Sequence, residues 1–186
     1  MPSGPSGKAL VECRAQALKV RIVLWASAII AAITTVSGWM IFQSFGLSPA
    51  DGGVLRPVGE RMMFGGAVVL LGLVLFGGML LYASLYLIEL RRTDEVLEVT
   101  TIGLISDRSR TLLVADVGEL NYHAGRMFTP RGHNVDAPWL TMPVRGRLLP
   151  YVIDVQAEHV DRPELQALEK NAWRARLKEK AARSDP

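Results

Sequence analysis

The stretches IVLWASAIIAAITTVSGWMIFQSFGLSPA (Ile22–Ala50) and MMFGGAVVLLGLVLFGGMLLYASLYLI (Met62–Ile88) decide how this chain is read, because neither contains a charged residue. A helix needs about 20 apolar residues to cross a hydrocarbon core, and both stretches exceed that. Working outward, they predict two membrane helices, at about 21–45 and 62–89, joined by the Gly- and Pro-rich turn GLSPADGGVLRPVGE (Gly46–Glu60). The first run is too long for the apolar region of a signal peptide and follows a polar stretch, so it is expected to stay as a membrane anchor.

Charge sets the expected orientation. The net charge is +3 and the isoelectric point about 9.2, but the basic residues sit where topology alone would put them. Lys8, Arg14, Lys19 and Arg21 precede the first span, Arg91 and Arg92 follow the second, and the turn balances Asp51 and Glu60 against Arg56 and Arg61. The positive-inside bias then puts both termini in the cytoplasm or, in a mitochondrion, the matrix. Residues 1–20 read as a flexible start followed by an amphipathic interfacial helix over Ala9–Val20.

Within a bilayer, helices associate through close contact at small residues, since lipid tails provide no hydrophobic drive. Ser27, Ala31, Thr35 and Gly38 on the first span, with Gly65, Gly72 and Gly77 on the second, are the expected packing face. No ionisable residue interrupts either span, which argues against proton or ion transport by this chain alone, and the spans hold no His for haem.

Beyond Arg92 the texture changes to short β-branched runs. EVLEVTTI (Glu95–Ile102), TLLVADV (Thr111–Val117), Trp139–Val144 and Leu149–Val155 are separated by Gly and Pro and predict a small antiparallel domain of four to six strands over 93–160. RPELQALEKNAWRARLKEKAAR (Arg162–Arg183) predicts a charged helix over 161–186, with Leu165, Leu168, Ala172 and Leu177 as its apolar edge. The expected class is thus an α+β membrane protein: a transmembrane helical hairpin over 21–90, a small soluble β domain, and a charged C-terminal helix. The YHAGRMFTPRGHNVDAPWLTMP loop (Tyr122–Pro143) is long for a simple hairpin, and its Phe128 and Trp139 are candidate partner contacts.

Residues able to do chemistry are sparse. His123, His133 and His159 form no metal-ligand spacing, so no metal site is expected, and Cys13 is a lone thiol. Asp154, Glu158 and Asp161 read as solvated carboxylates, and no glycine pair has a phosphate-binding spacing. The basic residues of the last helix alternate with Glu169 and Glu179, which disfavours nucleic acid. The expectation is a protein that is not an enzyme, without cofactor or small-molecule substrate, with phospholipid as its one expected small ligand and a large membrane complex as its partner.

Several pieces of the soluble part carry a resemblance. Val99-Thr100-Thr101, the run Val114–Glu119 entering a loop with His123 and Gly125, Val144-Arg145-Gly146-Arg147, the strand Tyr151-Val152-Ile153-Asp154, and His159 with Pro163 and Leu165 follow in order behind a two-helix hairpin. In this the chain resembles the mitochondrial inner-membrane transmembrane protein 223 family and related two-span assembly factors. Pro150 stands where an aromatic would align, and the tail from Trp173 has no counterpart. The resemblance implies an accessory subunit or assembly factor of a respiratory-chain, electron-transport complex, with cytochrome c oxidase favoured, in the mitochondrion inner membrane with both termini in the matrix. It implies no catalytic residue. Two other readings stand beside it: a bacterial inner-membrane protein, both termini cytoplasmic, with a pleckstrin-like lipid- or peptide-binding domain, and a membrane enzyme using matrix-side histidines.

Overall fold

The computed structural model describes residues 7–49, 52–128 and 134–184, with the backbone alone over 126–128, 134–136 and 175–184. In chain order the elements are β1 (Lys8–Glu12), α1 (Arg14–Ser44), α2 (Val58–Leu85), β2 (Leu87–Thr93), β3 (Val96–Thr101), β4 (Arg108–Leu113), a 3-10 turn (Val114–Asp116), β5 (Asn121–His123), β6 (Arg126–Phe128), β7 (Asn134–Asp136), β8 (Trp139–Met142), β9 (Tyr151–Asp154), β10 (His159–Val160) and α3 (Arg162–Ser184). Two long apolar helices, antiparallel strands and a terminal helix therefore appear in the expected order.

Two expectations are corrected. Lys8–Glu12 is a strand, where an interfacial helix was expected from Ala9, because its backbone pairs with β10 on one side and β2 on the other and buries Leu10 and Val11. The second long helix ends at Leu85, ahead of residue 89, and LIELRRT (Leu87–Thr93) is strand β2. Apolar length alone could not show that stop; the ladder partners on both sides of β2 impose it. The N-terminal strand accordingly belongs to the compact unit Met1–Lys19 with Ser84–Pro186, while Val20–Ala83 is the other unit.

In the strand-rich unit a five-stranded sheet runs β10-β1-β2-β3-β4 and a three-stranded sheet runs β5-β8-β9, both antiparallel. Bridges Tyr86–Val152 and Val117–Val144 join their corner. Strand β3 shows the period-2 rule directly: Leu97, Val99 and Thr101 are buried and the intervening Val96, Glu98 and Thr100 are not. On β2 both Leu87 and Ile88 are buried, because the ladder to β3 shifts register between Leu87 and Glu89. The core gathers Leu10, Leu90, Leu97, Val99, Met142, Tyr151 and Ile153 from the sheets and closes under Leu165, Leu168 and Ala172 of α3. Each fully buried aliphatic there contributes about 2 kcal/mol of transfer free energy.

Ahead of the strand expected at Trp139–Val144, where a long loop was expected, the described residues are also paired. Strand β5 pairs with β8 and β6 with β7, so this stretch is a hairpin laid beyond a hairpin. Short strands of three residues give too little periodicity to be read from sequence.

Candidate functional site

In the helical unit two backbones come close together at Gly38 and Gly65. A Cβ built on Gly38 would stand 2.5 Å from the Gly65 carbonyl oxygen, and one on Gly65 would stand 2.6 Å from that of Gly38. Farther along, a Cβ on Gly72 would overlap the Thr34 hydroxyl and lie 3.1 Å from Ala31 Cα. Ser27, Ala31, Gly38, Gly65 and Gly72 are all buried on this face. The hydroxyls of this stretch are satisfied within the helix: Ser27 donates to Leu24 O (2.7 Å), and Thr34 and Thr35 both donate to Ala31 O (3.0 and 2.7 Å).

Two expected members fall elsewhere. Thr35 is exposed, and its neighbour Thr34 makes the contact, since Thr34 lies three residues from Ala31 and four from Gly38 on one helix face. Gly77 has open space where its Cβ would stand, five residues past Gly72 and so on a different side of the helix. Gly66 and Gly78 are open in the same way. Beside the Gly38–Gly65 contact runs an apolar groove of about 340 Å³, floored by these two glycines and Gly66 and walled by Trp39, Phe42 and Met62.

A buried polar chain lies where strands meet helices. Cys13 is the one residue between β1 and α1, and Tyr86 the one between α2 and β2. Their Sγ and Oη are 3.0 Å apart, and the Tyr86 hydroxyl donates to Asp154 Oδ2 at 3.2 Å. One phenolic proton serves one acceptor, so the thiol is the donor to Tyr86. Asp154 Oδ1 accepts from Gln156 N (2.8 Å), and Glu158 accepts from Ala15 N (2.7 Å) in the first turn of α1. Asp154 and Glu158, read from sequence as solvated, are therefore both engaged. Burial pushes the Cys13 thiol above its ordinary pKa, and burial followed by the Cys13 hydrogen bond does the same to Tyr86. Both groups stay neutral. No local signal marks this chain in the sequence, since Glu12 sets Cys13 apart from the apolar residues before it and Tyr86 lies inside the uncharged run Met62–Ile88.

On the domain surface Lys8 bridges Asp161 (3.1 Å) and Glu164 (2.8 Å), tying β1 to the start of α3. Asp161 also accepts from Glu164 N at 3.2 Å, the N-cap role its type favours. Trp139 is 36% exposed and stacks on His123 with centroids 5.2 Å apart; His123 Nε2 lies 3.2 Å from Thr141 Oγ1. The Phe128 side chain and His133 lie outside the described residues. Among the described residues no three His, Cys, Asp or Glu side chains group as metal ligands would. Clefts open on this unit, among them one of about 490 Å³ between Arg92, Asp94, Leu113 and Arg174 and one of about 310 Å³ between β5 and α3.

No protein-family model and no curated protein sequence matches this chain. What the geometry offers is contact: a close-packed helix pair with further glycines facing outward, and a β domain with open sheet edges and clefts.

Proposed function

We propose that this chain is a non-catalytic accessory subunit or assembly factor of a membrane complex, anchored by α1 and α2. The observation that carries the reading is the inverted surface of those helices. Their most apolar windows are 17% and 11% buried, and Ile33, Val36, Leu70, Leu71 and Val74 are exposed. A core helix of a soluble protein would bury that surface, whereas a bilayer accepts it. The outward glycines Gly66, Gly77 and Gly78 leave room for close approach by a partner's helix. The basic excess around Lys8, Arg14, Lys19, Arg91 and Arg92 supports placing both termini and the β domain on one side, the matrix or the cytoplasm.

The client is the finer part of the proposal. The resemblance to the transmembrane protein 223 family favours a respiratory complex of the mitochondrial inner membrane, cytochrome c oxidase first. Mild-detergent extraction of native membranes followed by native electrophoresis tests it. Comigration with a large complex is expected, and migration as a free 20.4 kDa chain in its detergent belt would sink it.

A second reading is favoured by one observation. Two antiparallel sheets joined at a corner and closed by a C-terminal helix resemble the plan of pleckstrin-like modules, which suits a bacterial two-span protein binding lipid or peptide. Sedimentation with anionic phospholipid vesicles, against neutral ones, separates that reading from the first.

A further inference from the structure

We propose that the free edge of β4 receives an acidic extended segment of a partner protein, added as an antiparallel strand whose two carboxylates, two residues apart, face Arg108 and Arg110. The inference rests on the adaptor reading above and specifies how the β domain would hold its partner.

Strand β4 ends the five-stranded sheet, pairing with β3 on one side and, among the described residues, with no strand on the other. Its six residues follow β3 without a register shift, from Arg108 opposite Thr101 to Leu113 opposite Val96. The edge strands β10 and β5 have only two and three residues. Arg108, Ser109, Arg110 and Thr111 are all exposed, so neither face of the strand is covered there. Such an edge presents unpaired backbone N–H and C=O groups. Strand addition draws its affinity from those groups and its specificity from alternate side chains.

The side chains of β4 define the occupant. Residues directly opposite in an antiparallel ladder share a face, and Thr101 and Val99, opposite Arg108 and Arg110, are buried on β3. Both arginines therefore stand on the core-facing side of the sheet at its rim, beside a threonine and a valine and across from no carboxylate. Neither has an ion pair or side-chain hydrogen bond among the described residues. On the other face Ser109 is already engaged with Thr100, at 3.1 Å. Residues two apart on an extended strand point to one face, so a single segment can set a carboxylate opposite each arginine and an aliphatic residue opposite Leu112. Cβ atoms of such opposite residues lie about 5 Å apart, within reach of an Arg–Glu pair. Charges that point inward on an edge strand discourage indiscriminate pairing, and the same two charges select an acidic strand over a neutral or basic one. A second copy of β4 is the poorer occupant, since RSRTLL would add two more arginines and no carboxylate.

The probe is a dye-labelled peptide Thr-Val-Thr-Glu-Thr-Glu-Thr, titrated against the full chain in dodecyl maltoside micelles by fluorescence anisotropy. Saturable binding is expected. The isomer Thr-Val-Glu-Thr-Thr-Glu-Thr has the same composition but puts its carboxylates on opposite faces of a strand, and should bind about fivefold more weakly. Arg108→Glu combined with Arg110→Glu should weaken binding about tenfold and transfer preference to Thr-Val-Thr-Lys-Thr-Lys-Thr, a gain that a misfolded variant cannot mimic. Only one edge of an added strand faces β4. Of two peptides, one N-methylated on its glutamates and one on the threonines just before them, one should therefore lose about tenfold in affinity and the other bind as before. No saturable binding, equal binding of the two isomers, equal loss from both N-methylated peptides, or self-association of the chain through β4 in place of peptide binding would each overturn the proposal. Comigration with a large complex would then still stand, with the partner held elsewhere.

Discussion

Cys13 Sγ lies 3.0 Å from Tyr86 Oη, so the last residue before α1 and the first after α2 are hydrogen-bonded to each other. The Cys13 amide also donates to Ile88 O at 2.8 Å, which continues the β1–β2 ladder to the residue where α1 takes over. The two helix-to-strand transitions are thereby fixed in register inside one domain, with Asp154 on β9 accepting the chain of protons. Strand pairing far along the sequence and the ends of both apolar helices are thus one structural problem with one solution.

This relationship predicts an alkaline weakness. Cys13 and Tyr86 both have raised pKa values in the folded chain, while the unfolded chain ionises them from their ordinary 9.0 and 10.0. The unfolded state then holds fewer protons above pH 9, so stability is full below that pH and falls as pH rises, by at most about 1.4 kcal/mol per pH unit and group. Urea titrations in dodecyl maltoside micelles, read by the far-ultraviolet signal, should show this. Tyr86→Phe should lower stability at pH 7 by about 1–2 kcal/mol and flatten the limb above pH 10. An equally steep limb in the variant would assign it to other groups.

The sequence reading succeeds where a signal is long. Uncharged runs gave α1 and α2, and the spacing of Leu165, Leu168 and Ala172 gave the buried face of α3. It fails at β1 and β2. KALVE is too short to show a period, and LIELRRT continues an apolar helix without a break, so only their non-local partners decide. On the helix face the small residues were legible as a set, yet Thr34 and Thr35 could not be told apart until a partner fixed the rotation. The β5 cleft had no local signature, since Tyr122, Leu140 and Leu165 come from three separate elements.

The opposite end of the pH scale tests the clamp from β1 to α3. The Lys8 ammonium, hydrogen-bonded to it, holds the Asp161 carboxyl below its ordinary 3.8, and the Glu164 amide acts the same way. A lowered pKa contributes stability that is present above 3.8 and lost as pH falls below it. Protection of the Leu165 and Leu168 amides, taken relative to the intrinsic exchange rate at each pH, should fall on acidification through that range. In Asp161→Asn the dependence should be flatter, and unchanged acid sensitivity would place the weakness outside this clamp.

Trp139 separates surface from core. Its ring is 36% exposed and leans on His123, whereas Ile153, its near neighbour on β9, is fully buried. Trp139→Ala should therefore cost about 1 kcal/mol or less against about 2–4 kcal/mol for Ile153→Ala. Equal losses in the same urea titration would make the ring part of the core and withdraw it as a partner contact.

The glycines of the helical unit give a graded test, because a methyl group meets something different at each. At Gly38 it would press on the Gly65 carbonyl and Val69, and at Gly72 on Thr34, so the backbones must move apart. Overpacking of this kind costs about 1–3 kcal/mol. At Gly77 the methyl finds open space, and alanine also relieves glycine's helix penalty of about 1 kcal/mol. In detergent, resistance to unfolding by dodecyl sulfate should therefore fall for Gly38→Ala and Gly72→Ala and hold or rise for Gly77→Ala. The order should change in native membranes if the outward face receives a partner's helix: Gly77→Leu, harmless to the isolated chain, should then reduce comigration with the large complex. Loss of stability in detergent for Gly77→Ala comparable to that for Gly72→Ala would contradict the observed rotation of α2. Full comigration of Gly77→Leu would remove that glycine from the proposed contact.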